Sequence, residues 1–237
     1  MSRQAEIKMV FFDAAGTLFD VRGSVGEIYA RAALRYGKQV DPPVIQSAFA
    51  HQFRQQPPMA FARDLSFSAR LVQEKHWWRN LVQAVFADLG EFPRLADYFE
   101  ELFDFFRTAA AWELKADAQP TLAAIRQRGL RVGVISNFDA RLYDVLRALG
   151  LRDFFDSIHI STEVGAAKPA AAIFAAALQD NQLVASQALH VGDSFREDVQ
   201  GAQAAGLQAV WLNRQSDAAL ASDLKQVSSL FEILALL

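Results

Sequence analysis

Lys8-Met9-Val10-Phe11-Phe12-Asp13-Ala14-Ala15-Gly16-Thr17 decides the fold. Four consecutive apolar residues running into a Gly-Thr turn read as a strand of a mostly parallel sheet with helices on both faces. The Asp that ends the run stands at the carboxyl edge of such a sheet, where α/β proteins hold ligands. Its carboxylate is a candidate oxygen nucleophile. The plain alternative is a turn Asp after a strand.

Outward from this stretch, short apolar strands are expected at 7–13, 130–136, 157–161, 188–192 and 208–212, alternating with helical segments. That βαβ rhythm implies an α/β protein with right-handed crossovers. One long interval departs from it. Between Lys38 and Arg128 the only glycine is Gly90, the prolines include Pro42, Pro43, Pro57, Pro58 and Pro93, and no strand-forming run appears between them. Helices over Ser24 to Tyr36, Val44 to Arg54, Phe67 to Leu89 and Leu95 to Thr108 are expected there. Residues 21–110 therefore read as an all-helical insert, and residues 1–20 with 111–237 as the α/β core. Ser228 to Leu237 reads as a last apolar helix or strand packed on that core.

Bulk properties exclude several classes. In 237 residues, 24 basic against 27 acidic side chains give a net charge of −3, with no basic field for nucleic acid. Cysteine is absent, which removes disulfides, thiolate metal sites and a cysteine nucleophile. The polar Met1 to Lys8 leads into too few apolar residues for a signal peptide, and the Ala170 to Leu178 run is far short of a membrane span. A cytoplasmic protein without nucleic-acid or membrane partners is the expectation. There is no phosphate-binding Gly-rich loop, dinucleotide fingerprint or serine elbow. His51, His76, His159 and His190 show no ligand spacing and read as surface or core residues, and Trp77-Trp78 reads as core of the helical insert.

Three more segments carry chemistry. Arg131 to Asn137 is a strand ending in a hydroxyl and an amide, Lys168-Pro169 sets a cation before an Ala-rich helix, and Leu189 to Asp198 is a strand ending in carboxylates five positions apart. The order strand-Asp, strand-Ser, Lys-Pro, strand-Gly-Asp resembles the four motifs of the haloacid dehalogenase-like hydrolase superfamily, over nearly the whole chain. The resemblance implies a Rossmann-like core and a mobile helical cap inserted after the first strand. Asp13 would be the covalent nucleophile, and Asp13, the Ala15 carbonyl and Asp193 would hold Mg²⁺. Lys168 would neutralise the reacting anions, with Gly16, Thr17, Ser136 and Asn137 also around the substrate. Asp198 would orient water or Lys168, and its neighbour Glu197 would compete for that role. Set beside these are plainer readings: a solvated lysine, a first-turn Asp198 favoured by the helix dipole, and a helix capped by Asp139.

Ala15 departs from the superfamily pattern, in which a second Asp serves the leaving group as acid and base. The subgroup of haloacid dehalogenase-like hydrolase domain-containing proteins fits best. It implies a magnesium-dependent phosphatase acting on a small phosphorylated metabolite through an aspartyl-phosphate, with general acid and base help worth about 10²- to 10⁴-fold removed. A phosphonoacetaldehyde hydrolase would need an amine from the insert, for which Lys75 is the candidate, since it interrupts an apolar stripe of Phe67, Leu71, Trp78, Val82, Val85 and Leu89. A 2-haloacid dehalogenase also lacks the acid but replaces the Gly-Asp that this chain keeps at Gly192-Asp193. From another class, a non-catalytic phosphate-ligand binder on the same fold is the rival.

Overall fold

The computed structural model describes residues 6–214 and 225–237, so the first five residues of the polar lead-in lie outside it. Its strands are β1 (Met9–Phe12), β2 (Phe19–Val21), β3 (Trp112–Leu114), β4 (Arg131–Ser136), β5 (Ser157–Ile160), β6 (Ala188–Gly192), β7 (Gln208–Leu212) and β8 (Gln226–Val227). Six of them form one parallel sheet in the order β5-β4-β1-β6-β7-β8. β1 shows why. Its four residues are all fully buried, with Val10 and Phe12 packed into one apolar cluster and Met9 and Phe11 into another. Alternate side chains of a strand point to opposite faces, so a continuous apolar run requires cover on both. β1 lies between β4 and β6, where the connections diverge to the two sides of the sheet, and the crevice at that switch point opens at the carboxyl ends.

The interval between β2 and β3 is helical: α1 (Val25–Arg35), α2 (Pro42–Gln55), α3 (Phe67–Phe86) and α4 (Leu95–Phe105). α1 starts at a capping box, in which Ser24 Oγ accepts from the Glu27 N–H while the Glu27 carboxylate accepts from the Ser24 N–H. The block has its own apolar cluster, centred on Tyr29, Ile45, Leu81, Val85, Tyr98 and Phe99. α5 (Ala118–Gln127) and α6 (Arg141–Ala148) then flank the sheet, and Leu230–Ala235 ends the chain as a 3₁₀ helix whose Leu230 and Ile233 are buried in the sheet's larger cluster.

Two features depart from the sequence reading. Phe19–Val21 pairs antiparallel with Trp112–Leu114, an unexpected two-stranded ribbon through which the chain leaves for the helical block and returns. On α3 the buried face is Glu74, Trp77, Leu81, Val82, Val85 and Phe86, while Phe67 is exposed. The apolar stripe anticipated through Phe67, Leu71 and Lys75 is thus displaced by about one position toward the N-terminus in the first half of the helix. No helix among the described residues is long and apolar enough to cross a membrane.

Candidate active site

Asp13 follows β1 directly, and its N–H donates to the Val191 carbonyl of β6 at 2.9 Å, so the backbone that carries the carboxylate is tied to the next strand. Gly192 ends β6. A Cβ added there would lie 2.1 Å from the Asp198 Cγ, so only glycine leaves room for Asp198 to fold beneath the strand end. Asp198 itself comes from a π-helical segment, Phe195–Gln200, a wide turn of the kind often found at functional sites. Its Oδ2 accepts from the Ser194 N–H at 2.9 Å.

Lys168 joins the two strand ends. Its Nζ donates to Asp13 Oδ1 and to Asp198 Oδ1, both at 2.6 Å, and all three side chains are buried. Asn137, just past β4, holds the lysine backbone from both sides: its Oδ1 accepts from the Lys168 N–H at 2.7 Å and its Nδ2 donates to the Lys168 carbonyl at 3.0 Å. Asn137 Nδ2 also donates to Glu197 Oε2 at 3.2 Å. Glu197 is therefore a partner of Asn137, and Asp198 alone of the two pairs with the lysine.

The second carboxylate at the sheet edge is Asp193. Thr17 Oγ1 donates to Asp193 Oδ1 at 3.2 Å, and Trp211 Nε1 donates to the Asp193 carbonyl at 2.8 Å. Gly16, at φ +91°, leaves the space that Asp193 fills, since a Cβ there would stand 2.4 Å from Asp193 Oδ2. Gly16 and Thr17, expected against a substrate, are placed here against Asp193. Ser136 lines the cleft over Asp13, and no hydrogen bond among the described residues takes up its hydroxyl.

The electrostatics follow from burial. Burial raises the Asp13 carboxyl above its ordinary value, Lys168 opposing the shift and Asp198 adding to it. Asp198 also meets the cost of burial, but Lys168 and His190 overcome it and hold this carboxylate ionised well below the usual range. Burial works against the Lys168 ammonium too, yet the two aspartates outweigh it and keep the charge on. Asp193 is pushed up to about 7 by burial and by the like charges of Asp13 and Asp198.

Carboxylate oxygens of Asp13, Asp193 and Asp198 lie within 4.8 Å of one another, an acidic cluster able to hold a metal. Both oxygens of Asp198 are committed to Lys168, His190 and the Ser194 N–H. Asp13 and Asp193 remain as donors. Both carboxyls are raised, Asp193 has no ion-pair partner among the described residues, and an all-oxygen donor set suits a hard divalent ion.

Two residues escape a reading of the sequence. His190, fully buried in β6, shares Asp198 Oδ1 with Lys168 through Nε2 at 2.9 Å. Asp139 is not a simple helix cap: beyond accepting from the Arg141 N–H, it forms a buried ion pair with the Arg141 guanidinium at 2.6 Å and accepts from Trp78 Nε1 of α3, also at 2.6 Å. Trp78 packs against the helical block's apolar cluster, as expected, and through this hydrogen bond also links the block to the sheet edge. Lys75 does not reach the site. Its Nζ pairs with Glu100 Oε2 at 2.7 Å over the Phe103 ring, and Lys75 lines neither the cleft nor the chamber beside it, so this geometry gives no support to a Schiff-base role.

The cleft over Asp13, Lys168 and Asp193 has a volume of about 530 Å³ and is walled on the far side by Phe53, Pro57, Met59 and Trp77 of the helical block. That size suits a small molecule. A parallel sheet whose carboxyl edge gathers an aspartate-lysine-aspartate cluster beneath a helical insert defines an α/β protein with a carboxylate-centred site. The sequence pattern described as "Hydrolase: haloacid dehalogenase-like hydrolase" matches residues 7–206, and the chain belongs to that family. It is 34% identical over 215 residues to haloacid dehalogenase-like hydrolase domain-containing protein 3 of Mus musculus, covering 88% of this chain and 83% of the relative. Glyceraldehyde 3-phosphate phosphatase of Methanothermobacter thermautotrophicus is 28% identical, with 88% and 87% covered. Among solved structures, a 2-haloacid dehalogenase from Pseudomonas syringae superposes with a TM-score of 0.66 at 27% identity, covering 97% of this chain and 98% of the other.

Proposed function

We propose that this hydrolase cleaves small phosphorylated molecules through covalent catalysis at Asp13, with residues 21–110 acting as a cap over the cleft. The observation that carries the reading is the buried lysine at 2.6 Å from both Asp13 and Asp198, facing a second edge carboxylate, Asp193. An ammonium in that position opposes the burial that raises the Asp13 carboxyl, favouring its ionised form, and offsets the negative charge of a phosphoryl group brought against it. Similarity to a glyceraldehyde 3-phosphate phosphatase supports the phosphoryl substrate.

In the first step a carboxylate oxygen of Asp13 forms a bond to phosphorus while the bond to the leaving oxygen breaks and carries its electron pair away. Water then attacks the same phosphorus, the aspartyl oxygen departs, and inorganic phosphate leaves. Asp13, the Ala15 carbonyl and Asp193 would hold Mg²⁺, which when bound supplies the positive charge that balances both carboxylates and the phosphoryl oxygens. The Ser136 hydroxyl is free to donate to a phosphoryl oxygen. Asn137 acts through Lys168, whose backbone it fixes. Ala15 offers no proton to the leaving oxygen, so good leaving groups are favoured.

Incubation with acetyl phosphate and Mg²⁺ tests this. The peptide containing Asp13 is expected to gain one phosphoryl group, and Asp13→Asn to gain none. Ala15→Asp is expected to raise turnover of alkyl phosphates by about 10²- to 10⁴-fold. Tight phosphate binding with neither labelling nor hydrolysis overturns the proposal in favour of a binding protein.

A further inference from the structure

Beside the cleft lies a second cavity of about 210 Å³, and the two meet along Ala15, Phe53, Met59, Asn137 and Phe138. Its walls come from the ribbon and the helical block, chiefly Val21, Val25, Tyr29, Phe49, Phe106 and Trp112. Native interiors leave few voids larger than a water molecule, because an unfilled apolar cavity costs stability. An apolar cavity of about 150 Å³ is enough to bind benzene. This chamber therefore has room for one substituted ring.

Its charge is settled. Arg141, the single cation on the wall, is neutralised by Asp139 at 2.6 Å and stacks on Trp78 and Phe103, with its guanidinium 4.7 and 4.1 Å from the ring centres. An anionic group would find no uncompensated partner there, and burial of one is costly. One polar atom is uncommitted: Tyr29 is 2% exposed, lines the chamber, and no hydrogen bond among the described residues reaches its hydroxyl. At the passage between the two cavities no group is placed to give up a proton, since Ala15, Phe53, Met59 and Phe138 are apolar and the Asn137 amide is held by Lys168 and Glu197.

We propose that this chamber seats the leaving group of the substrate, and that the substrate class is phosphate esters of an uncharged aromatic alcohol. The inference rests on the hydrolase reading of Asp13. With the phosphoryl group over Asp13 and Lys168, the rest of the molecule passes Ala15 into the chamber. Asp13 bonds to phosphorus, the phosphorus–oxygen bond to the ring breaks, and the aryloxide leaves with the electron pair. An aromatic alcohol is acidic enough to depart in that form, and it takes its proton afterwards from water. Tyr29 supplies a donor for a substituent at the far side of the ring.

The test compares kcat/KM for phenyl phosphate and acetyl phosphate with Mg²⁺, in the wild type and in Val25→Phe, which fills the chamber. The ratio of phenyl to acetyl phosphate is expected to fall about tenfold or more. Phe53→Ala, at a half-exposed position on the same wall, is the second variant and is expected to lower the ratio as well, whether or not Val25→Phe folds. A ratio unchanged in Phe53→Ala and in a folded Val25→Phe overturns the inference and leaves the hydrolase reading standing. Failure of the wild type to consume acetyl phosphate at all overturns that reading, and the inference with it.

Discussion

Glu74→Gln is expected to stabilise the protein, and only above mildly acidic pH. Glu74 lies on the buried face of α3, fully removed from solvent. Its Oε1 accepts from the Ala140 N–H at 3.2 Å, while Oε2 has no hydrogen-bond partner. Burial, reinforced by the Asp139 carboxylate, lifts its carboxyl from 4.5 to about 7, with Thr162, the Ala140 N–H and Arg141 opposing. Below 4.5 the folded and unfolded chains both hold the proton and nothing is lost. As pH rises toward 7 the unfolded chain releases it while the folded chain retains it, so stability falls. At about 1.4 kcal/mol for each tenfold difference in proton affinity between the folded and unfolded chains, the loss reaches about 3 kcal/mol and is flat above 7. Glutamine keeps the acceptor for Ala140, presents an amide toward Thr162 and has no proton to lose. Urea unfolding at about pH 4 and about pH 8 should therefore show near-equal stabilities at the lower pH and a variant more stable by about 3 kcal/mol at the higher. A difference that stays constant across that range would refute the account of Glu74 as a buried acid held protonated by the fold.

Lys168→Met leaves Asp13 and Asp198 as buried carboxylates without their common cation, so stability should drop by about 3–5 kcal/mol, with hydrolysis of acetyl phosphate lost. A stable, active Lys168→Met would remove the lysine from the mechanism. In Gly192→Ala the added methyl group collides with Asp198, whose displacement breaks its contacts to Lys168 and His190. Denaturant unfolding should register a loss of about 1–3 kcal/mol, together with slower turnover.

Much of this is legible in the sequence because the signals are local. Largely apolar runs at Met9–Phe12, Arg131–Ser136 and Ala188–Gly192 announce buried strands, and each leads to a residue the sheet edge must present: Asp13, Ser136 and Asp193. What escapes depends on partners remote in the chain. Phe19–Val21 and Trp112–Leu114 are three residues each and become strands only by meeting one another. His190 is one of many residue types a buried strand accommodates, and its contact with Asp198 exists only once Gly192 lets the chain double back. Lys75 misleads for a related reason. Periodicity along α3 counted from Phe67 turns the lysine inward, but packing rotates that end of the helix so that Glu74 is buried and Lys75 meets Glu100. The contacts of Gly16 and Thr17 with Asp193 escape as well, since sequence shows where a turn lies and not which side chain fills the gap above a missing Cβ.

The ribbon of Phe19–Val21 against Trp112–Leu114 brings the two ends of the helical excursion side by side, so whatever is threaded between them begins and finishes at the same doorway. Insertions, deletions or wholesale replacement of the intervening stretch alter what stands over the crevice without shifting the register of the six-stranded platform. Closing a longer excursion raises the entropic cost only logarithmically. Such a layout separates the part of the chain that must stay constant to perform a reaction from the part free to be rewritten for a new client.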